Sequence, residues 1–157
     1  GETGRVDALS AERIERVLRL NVTGSFLCAR EAVKRMSTRH GGHGGVIVNL
    51  SSVAEQLGSP GVYVDYAASK GAIDTLTVGL AQEVGAEVIR VVGIRPGLID
   101  TEIHASGGDP DRHHRLAKSV PMQRVGSADE VARAIVWLMS DEASYVTGTV
   151  FDVSGGR

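Results

Sequence analysis

Three polar residues, Ser52, Tyr66 and Lys70, form the strongest chemical signal in the sequence. Tyr66 and Lys70 are four positions apart, so on a helix their side chains lie on the same face. A phenol, with an ordinary pKa of about 10, exchanges protons poorly at neutral pH, but a nearby ammonium stabilises the phenolate and lowers that pKa. A serine hydroxyl beside the phenol could hydrogen-bond the carbonyl or alcohol oxygen of a substrate. The trio therefore predicts proton transfer at such an oxygen.

Two predicted elements bring these side chains together. Residues 46–50 form a short β-branched run typical of a strand buried on both faces, and Ser52 follows its carboxyl end. Residues 64–84 are predicted to form the helix that carries Tyr66 and Lys70. The apolar stripe of that helix consists of Ile73, Leu76, Leu80 and Val84. Open α/β sheets bind ligands beyond the carboxyl ends of their strands, so the three polar groups can converge in one crevice.

The rest of the chain alternates helices and strands. Ser10 is suited to cap a long helix over residues 11–38, and Ser127 to cap another that ends near Ser140. Two further strands are predicted at residues 88–95 and 148–153, and a polar excursion from the sheet is predicted at residues 101–118. This alternation predicts an α/β fold, the C-terminal part of a doubly wound parallel sheet with helices on both faces. Three strands are few for such a sheet, so the first strand is expected to have an unpaired edge.

The composition removes several classes of function. The sequence has 17 basic and 19 acidic residues, a formal net charge of −2 and 4% aromatic residues, so it offers neither a basic footprint nor a stacking surface for nucleic acid. No apolar run reaches the roughly 18 residues of a membrane helix. The single cysteine excludes an internal disulfide and a cysteine-based metal cage. We therefore predict one domain over residues 1–157, in the cytoplasm, without a metal, membrane or nucleic-acid partner.

Several short segments carry a resemblance to a known family. The sequence Tyr-Ala-Ala-Ser-Lys at residues 66–70, preceded by Asn-Leu-Ser-Ser at 49–52, resembles the active-site region of the short-chain dehydrogenase/reductase family. Further segments match the family in the same order, at residues 21–24, 95–97 with Thr101, 126–131, and 146–148 with Gly155 and Gly156. Within the family the chain is most similar to bacterial oxidoreductases of the glucose-dehydrogenase-like branch. The resemblance implies a Rossmann-like sheet and an enzyme that interconverts an alcohol and a carbonyl by hydride transfer with NAD or NADP.

The resemblance also implies a role for each catalytic position. Tyr66 would be the general acid and base, and Ser52 would orient the carbonyl. Lys70 would lower the pKa of the phenol and hold the ribose hydroxyls of the nicotinamide. Asn21 would anchor a water that relays protons to Lys70. The residues expected to border the cofactor follow the second strand. They are Pro96, Gly97 and Ile99, the last through its backbone. Thr101 in the same segment would hydrogen-bond the carboxamide or a phosphate of the cofactor.

The partners implied by the family are a small-molecule alcohol or carbonyl substrate and further copies of the chain. Family members form homodimers and homotetramers through the long helices and the C-terminal strand, so a homodimer or homotetramer is expected. The substrate is expected to be selected by residues 102–121, where Gly107, Gly108 and Asp109 suggest a mobile cover. His104 lies in the same segment and is a weaker candidate for a ligand contact.

The sequence departs from the family pattern in two ways. The interval from Ser52 to Tyr66 is one residue longer than the commonest spacing, which we attribute to an insertion near Gly58, and Ser51 is the weaker alternative to Ser52. The chain also lacks a glycine-rich G-x-x-x-G-x-G turn and the residue that chooses between NAD and NADP. The resemblance therefore covers about the C-terminal three-fifths of a family member, a catalytic half without the N-terminal dinucleotide-binding half.

Two other hypotheses fit the same residues. The chain could be a truncated, non-catalytic interaction module that keeps the catalytic positions and binds no dinucleotide alone. It could also be a fragment of a longer enzyme, which the absence of a methionine at Gly1 favours. Testing cofactor binding by the 157-residue chain distinguishes a complete dinucleotide site from both.

At several single positions, a purely structural role is an alternative to a functional one. Asn21 falls on the apolar stripe of the first helix, where its amide could serve only a structural hydrogen bond. Cys28 is interpreted as a small core residue of that helix rather than a nucleophile, and Trp137 as a packing residue. Four histidines lack the spacing of a zinc site and are interpreted as solvated loop residues, namely His40, His43, His113 and His114.

Overall fold

The structure, a computed structural model, describes residues 3–101 and 116–157. The described helices are α1 (Ala11–Leu18), α2 (Gly24–Met36), α3 (Ala54–Leu57), α4 (Val64–Val84) and α5 (Ala128–Met139). The described strands are β1 (Gly45–Leu50), β2 (Ile89–Pro96), β3 (Ile99–Asp100), β4 (Gly126–Ser127) and β5 (Val150–Val153). Most of the polar excursion, with His104, His113, His114 and the glycines at 107 and 108, lies outside the described residues.

The main sheet is parallel and has the order β1-β2-β5. Val48 of β1 lies opposite Val92, and Phe151 of β5 lies opposite Ile94, so β2 is the central strand. The strands β3 and β4 form a separate parallel pair. No described strand pairs with the outer edge of β1, as the sequence predicts, and β1 is accordingly half-buried instead of buried on both faces.

Helices cover both faces of this sheet, which confirms the predicted α/β architecture. Val91 of β2 packs with Ala81 and Val84 of α4, beside partly buried residues of α2. Its neighbour Val92 packs with Leu138 of α5 on the opposite face. Successive side chains of a strand point to opposite faces, so β2 supplies both layers of the core. Each fully buried aliphatic side chain contributes about 1.5–3 kcal/mol relative to exposure, which makes β2 the anchor of the fold.

The ends of two helices follow the predicted capping. Ser10 Oγ accepts a hydrogen bond from the backbone N–H of Arg13 at the start of α1. Ser127 forms a capping box with Glu130, in which each side chain accepts a backbone N–H of the other residue. Both caps satisfy amides that a helix leaves without an internal partner. The helix α4 has the predicted bounds, whereas the last strand begins at Val150, two residues later than predicted.

The long helix predicted over residues 11–38 is observed over residues 11–36, but its hydrogen-bond pattern changes within it. A π-helical turn, Arg19–Thr23, separates α1 from α2. Its wider hydrogen-bond spacing shifts the phase of the side chains, so the apolar stripe read from the sequence does not stay on one face. Phe26 is 52% exposed, and Cys28 is exposed rather than part of the core. Ala29 is the one residue of α2 that is buried.

The remaining structural interpretations have mixed outcomes. Trp137 packs edge to face against Phe151, with ring centroids 6.2 Å apart, yet 41% of the residue stays exposed. His40 and His43 are exposed, and the described ranges contain no group of three or more histidine, cysteine or acidic residues that could hold a metal ion. None of the helices within these ranges is long and apolar enough to cross a membrane.

Candidate active site

The loop after β1 is tied to the end of β2. The backbone N–H of Ser51 donates to Ile94 O at 2.8 Å, and that of Val53 donates to Pro96 O at 3.2 Å. These bonds continue the parallel pairing past the end of β1. The loop that carries Ser52 is therefore fixed at the carboxyl edge of the sheet, where the sequence predicts it.

Ser51 and Ser52 have different environments. Ser51 is buried, and its hydroxyl donates to Lys70 O at 3.2 Å, so it joins the loop to the backbone of α4. Ser52 is partly exposed, and its Oγ accepts the backbone N–H of Ala54 at 3.2 Å. A hydroxyl can still donate while it accepts, so Ser52 keeps a donor for the phenol or for a substrate oxygen.

Tyr66 lies on the first turns of α4 with its phenol directed at Ser52. Burial raises the pKa of the Tyr66 phenol, and a hydrogen bond from Ser52 opposes that rise without cancelling it. The phenol is thus held in its protonated form at neutral pH. The sequence predicts a lowered pKa instead, and the reason for the difference is that loss of hydration outweighs the stabilisation of the phenolate.

Lys70 lies one turn after Tyr66 and crosses to the end of β1. Its Nζ lies 5.6 Å from the centroid of the Tyr66 ring and donates to Leu50 O at 2.7 Å. The ammonium therefore contacts the ring face and a backbone carbonyl. Burial lowers the pKa of Lys70, and the negative charge of Asp74, one turn further along α4, opposes that fall.

Asn21 lies in the π-helical turn. Its Nδ2 donates to Ser69 Oγ at 2.9 Å, and Ser69 in turn donates to Tyr66 O at 2.7 Å. Its own backbone carbonyl accepts the hydroxyl of Ser25 at 2.6 Å. These contacts connect the turn to α4, so the structural hydrogen bond anticipated for Asn21 is present. Ser69, which is fully buried, was not singled out from the sequence although it directly precedes Lys70.

The segment after β2 lies beside this group of residues. Gly97 donates its backbone N–H to Val153 O at 3.0 Å, and a Cβ at this position would lie 2.7 Å from Ser154 Cα. The glycine is thus required for the close approach of the chain after β5. Ile99 belongs to the β3–β4 pair, and Thr101 is exposed where the first described range ends.

The ion pairs of two arginines behind the site were not predicted. Arg13 of α1 holds Asp65, the neighbour of Tyr66, through two hydrogen bonds of 2.8 and 3.1 Å. Arg95, which directly precedes Pro96, contacts carboxylates from three other elements, those of Glu55, Asp74 and Asp152. Each pair joins residues far apart in sequence, so local patterns could not reveal it.

The donors at this edge of the sheet fit the polar groups of a nicotinamide nucleoside. An ammonium has three N–H donors, and the described residues engage one of those of Lys70, through Leu50 O. The remaining donors and the Tyr66 hydroxyl suit a pair of ribose hydroxyls and a substrate oxygen. The described ranges contain no glycine-rich turn at a helix start that would suit a pyrophosphate.

Comparison with protein families and curated proteins gives consistent results. The family described as enoyl-(acyl carrier protein) reductase matches residues 2–157. The chain is 66% identical over 152 residues to an uncharacterized oxidoreductase, YgfF, of Escherichia coli (strain K12), covering 97% of the chain and 62% of that protein. It is 40% identical over 148 residues to glucose 1-dehydrogenase 2 of Bacillus subtilis (strain 168), covering 94% of the chain and 56% of that enzyme. The chain therefore spans about three-fifths of the length of these relatives.

A solved structure shares the fold. The crystal structure of 3-ketoacyl-(acyl-carrier-protein) reductase from Brucella melitensis, complexed with NADH, superposes with a TM-score of 0.89 at 29% identity. The match covers 99% of this chain and 62% of that one. The fold of this chain thus occurs in a protein whose crystal structure contains NADH.

Proposed function

This chain belongs to the short-chain dehydrogenase/reductase family, and from that membership we propose that it interconverts an alcohol and a carbonyl with NAD or NADP. The observation that carries the proposal is the position of Lys70 Nζ, 5.6 Å from the centroid of the Tyr66 ring, beside the loop that holds Ser52 at the carboxyl edge of β1. The relatives that support an oxidoreductase are longer than this chain, so the activity of the whole protein is a proposal.

Tyr66 moves the proton in this proposal. In the reductive direction the phenol O–H donates to the carbonyl oxygen, which becomes the hydroxyl of the product. The phenol is protonated at neutral pH before each turnover, and the nearby ammonium of Lys70 stabilises the phenolate that forms as the proton leaves. In the oxidative direction Tyr66 must act as the phenolate, so rising pH favours oxidation.

Ser52 and Lys70 act on the same oxygen from different sides. Ser52 donates a hydrogen bond that orients the substrate oxygen and stabilises charge as it develops there. The ammonium of Lys70 stabilises the phenolate that remains after proton transfer and, through the N–H donors that Leu50 O leaves available, holds the ribose hydroxyls. Asn21 is proposed to anchor the water that returns protons to Lys70, while its amide positions α4 through Ser69.

The bound nicotinamide supplies or accepts the hydride, and the protein orients it. Pro96, Gly97 and the backbone at Ile99 are proposed to border the ring, and Thr101 to hydrogen-bond its carboxamide or a phosphate. The bond between Gly97 and Val153 fixes this border to the sheet.

The domain content and the partners follow the same reasoning. We propose that residues 1–157 are the catalytic half of a family member and that the adenine and pyrophosphate are bound outside them. A small-molecule alcohol or carbonyl substrate, a homodimer or homotetramer, and a cytoplasmic location stay predictions from the sequence.

Cofactor binding tests the proposal. NADH and NADPH are titrated into the natural protein and into the 157-residue chain, by calorimetry or by fluorescence of the reduced nicotinamide. Saturable micromolar binding to the natural protein is expected, and it should be weakened at least tenfold by Lys70→Ala but unchanged by Lys34→Ala, an exposed lysine of α2. Equal affinities of the two variants would contradict the assignment of Lys70. Binding by the natural protein but not by the chain would place the pyrophosphate site outside residues 1–157.

A further inference from the structure

Three carboxylates surround one guanidinium behind the candidate site. Arg95 Nε lies 3.0 Å from Glu55 Oε1 and 2.7 Å from Asp74 Oδ2, and Arg95 Nη1 lies 3.2 Å from Asp152 Oδ1. The four side chains come from β2, α3, α4 and β5. Those of Glu55, Asp74 and Arg95 are no more than 20% exposed, whereas that of Asp152 is 42% exposed.

The charges of this cluster do not balance when every group has its usual ionisation. Arg95 supplies one positive charge against three carboxylates. Lys70 lies one turn before Asp74 on α4, and its ammonium is bonded to Leu50 O. Two buried carboxylates that approach one cation repel each other, so one of them is expected to hold a proton.

The count of hydrogen-bond donors points to the same conclusion. Arg95 Nε carries one hydrogen, and it donates that hydrogen to Asp74 Oδ2. Glu55 Oε1 approaches the same nitrogen without a second hydrogen to accept. The other oxygen, Asp74 Oδ1, is buried and receives no hydrogen bond from any described residue. A buried acceptor of this kind normally has a donor.

We propose that Glu55 keeps its proton in the folded protein and donates it to Asp74 Oδ1, so that the two carboxyls share one negative charge beside Arg95. The donated proton satisfies the buried oxygen and removes the repulsion between the two carboxylates. Burial, followed by the hydrogen bond to Asp74, raises the pKa of Glu55, and the charge of Arg95 opposes this rise.

The cluster of Glu55, Asp74 and Arg95 connects three segments of the candidate site. Glu55 lies in the first turn after Ser52 and donates its backbone N–H to Ser52 O at 3.2 Å. Asp74 lies one turn after Lys70, and Arg95 directly precedes Pro96. Glu55 is therefore a positioning residue for the loop that carries Ser52, and it contacts no reacting atom itself.

The direct test is the titration of Glu55. The carboxyl carbons of isotopically labelled protein are followed by NMR against pH, and the signal of Glu55 is assigned by its loss in Glu55→Gln. The expected midpoint lies above the ordinary glutamate pKa of 4.5 and moves down in Asp74→Asn, which removes the neighbouring charge. A midpoint at or below 4.5 in the wild-type protein would overturn the proposal.

The pH dependence of unfolding gives a second readout. A carboxyl whose pKa is raised by folding stabilises the folded protein at pH values below its pKa in the unfolded chain. This stabilisation is lost as the pH rises through its pKa in the folded protein. The amide of Glu55→Gln donates to Asp74 Oδ1 at every pH, so its thermal midpoint should rise relative to wild type between pH 4.5 and the pKa of Glu55 and then stay constant.

A matched substitution controls for the loss of charge alone. Glu31 is exposed and hydrogen-bonded to Lys34 and Arg30, which lower its pKa, so Glu31→Gln should show no such relative gain. If Glu55→Gln instead loses stability relative to wild type as pH rises, Glu55 acts as an ionised partner of Arg95 and the shared proton is refuted.

Discussion

Asn21 donates its side-chain amide to Ser69 Oγ at 2.9 Å, and this contact joins the π-helical turn to the helix that carries Tyr66 and Lys70. Ser69 is fully buried and passes its own hydrogen to Tyr66 O. Asn21, which interrupts the apolar stripe of the first helix, therefore has Ser69 as a hydrogen-bond partner. It also fixes the distance between that turn and α4.

Removing Asn21 leaves Ser69 with an unfilled acceptor in a buried position. Asn21→Ala should lower the free energy of unfolding by about 1–3 kcal/mol, because a buried polar group loses its partner. Chemical denaturation of Asn21→Ala, Ser69→Ala and the double variant measures the coupling. The double variant should cost less than the sum of the single variants, whereas strict additivity would show that the bond carries no energy.

The buried pair of Arg13 and Asp65 should govern stability at acid pH. Burial raises the pKa of Asp65, but the hydrogen bonds from Arg13 and the backbone outweigh it, and the net shift is downward from 3.8. A carboxyl whose pKa is lowered by folding stabilises the folded protein at pH values above 3.8. This stabilisation is lost as the pH falls through the pKa of Asp65 in the folded protein. Arg13→Met should therefore cost about 3–5 kcal/mol at neutral pH.

The same variant should recover part of this loss in acid. Asp65 can then be protonated, so the difference between wild type and Arg13→Met should shrink as pH falls below 3.8. Unfolding curves over this range measure it. A difference that is constant with pH would assign the loss to packing of the arginine stem rather than to the ion pair.

The charge of Asp74 should keep Lys70 protonated. Burial lowers the pKa of Lys70 and Asp74 opposes this, so Asp74→Asn should lower it further. In the proposed enzyme, the alkaline limb of the profile of kcat/KM against pH should move to lower pH. Asp152→Asn, which removes a more exposed carboxylate from the same arginine, should leave the limb in place. An identical shift in both variants would contradict a specific effect of Asp74.

Two glycines make a matched pair for testing the border of the site. A Cβ at Gly97 would lie 2.7 Å from Ser154 Cα, so Gly97→Ala should destabilise by about 1–3 kcal/mol through overpacking. Gly79 lies within α4 and a Cβ there would meet nothing within 4 Å. Gly79→Ala should stabilise by up to about 1 kcal/mol through helix propensity, as thermal unfolding can show. A neutral Gly97→Ala would contradict the close approach.

The sequence was sufficient for those parts of the site that depend on local spacing. Tyr66 and Lys70 share a face because they are four positions apart on a helix, and Ser52 follows a β-branched run. Both patterns are local, and the structure places these elements where they were predicted. The π-helical turn was missed because its extra residue changes the phase of the apolar pattern while the backbone stays helical on both sides of it. The exposure of Cys28 follows from the same change of phase.

Tertiary contacts account for the rest of what sequence reasoning missed. Arg95 meets Glu55, Asp74 and Asp152 only after β2 has paired with β1 and β5, so their sequence spacing carries no signal. The rise in the pKa of Tyr66 likewise depends on how far the folded chain buries the phenol, which spacing does not determine.

Replacement of Tyr66 by phenylalanine tests the proposed mechanism most directly. Tyr66→Phe keeps the ring but removes the O–H, and Tyr145→Phe makes the same change at a fully exposed tyrosine. The rate of carbonyl reduction is measured in the natural protein with NADH and NADPH. We expect kcat to fall about 10²- to 10⁴-fold in Tyr66→Phe, because a positioned acid is lost, and to stay unchanged in Tyr145→Phe. Undiminished turnover in Tyr66→Phe would show that this phenol does not transfer the proton.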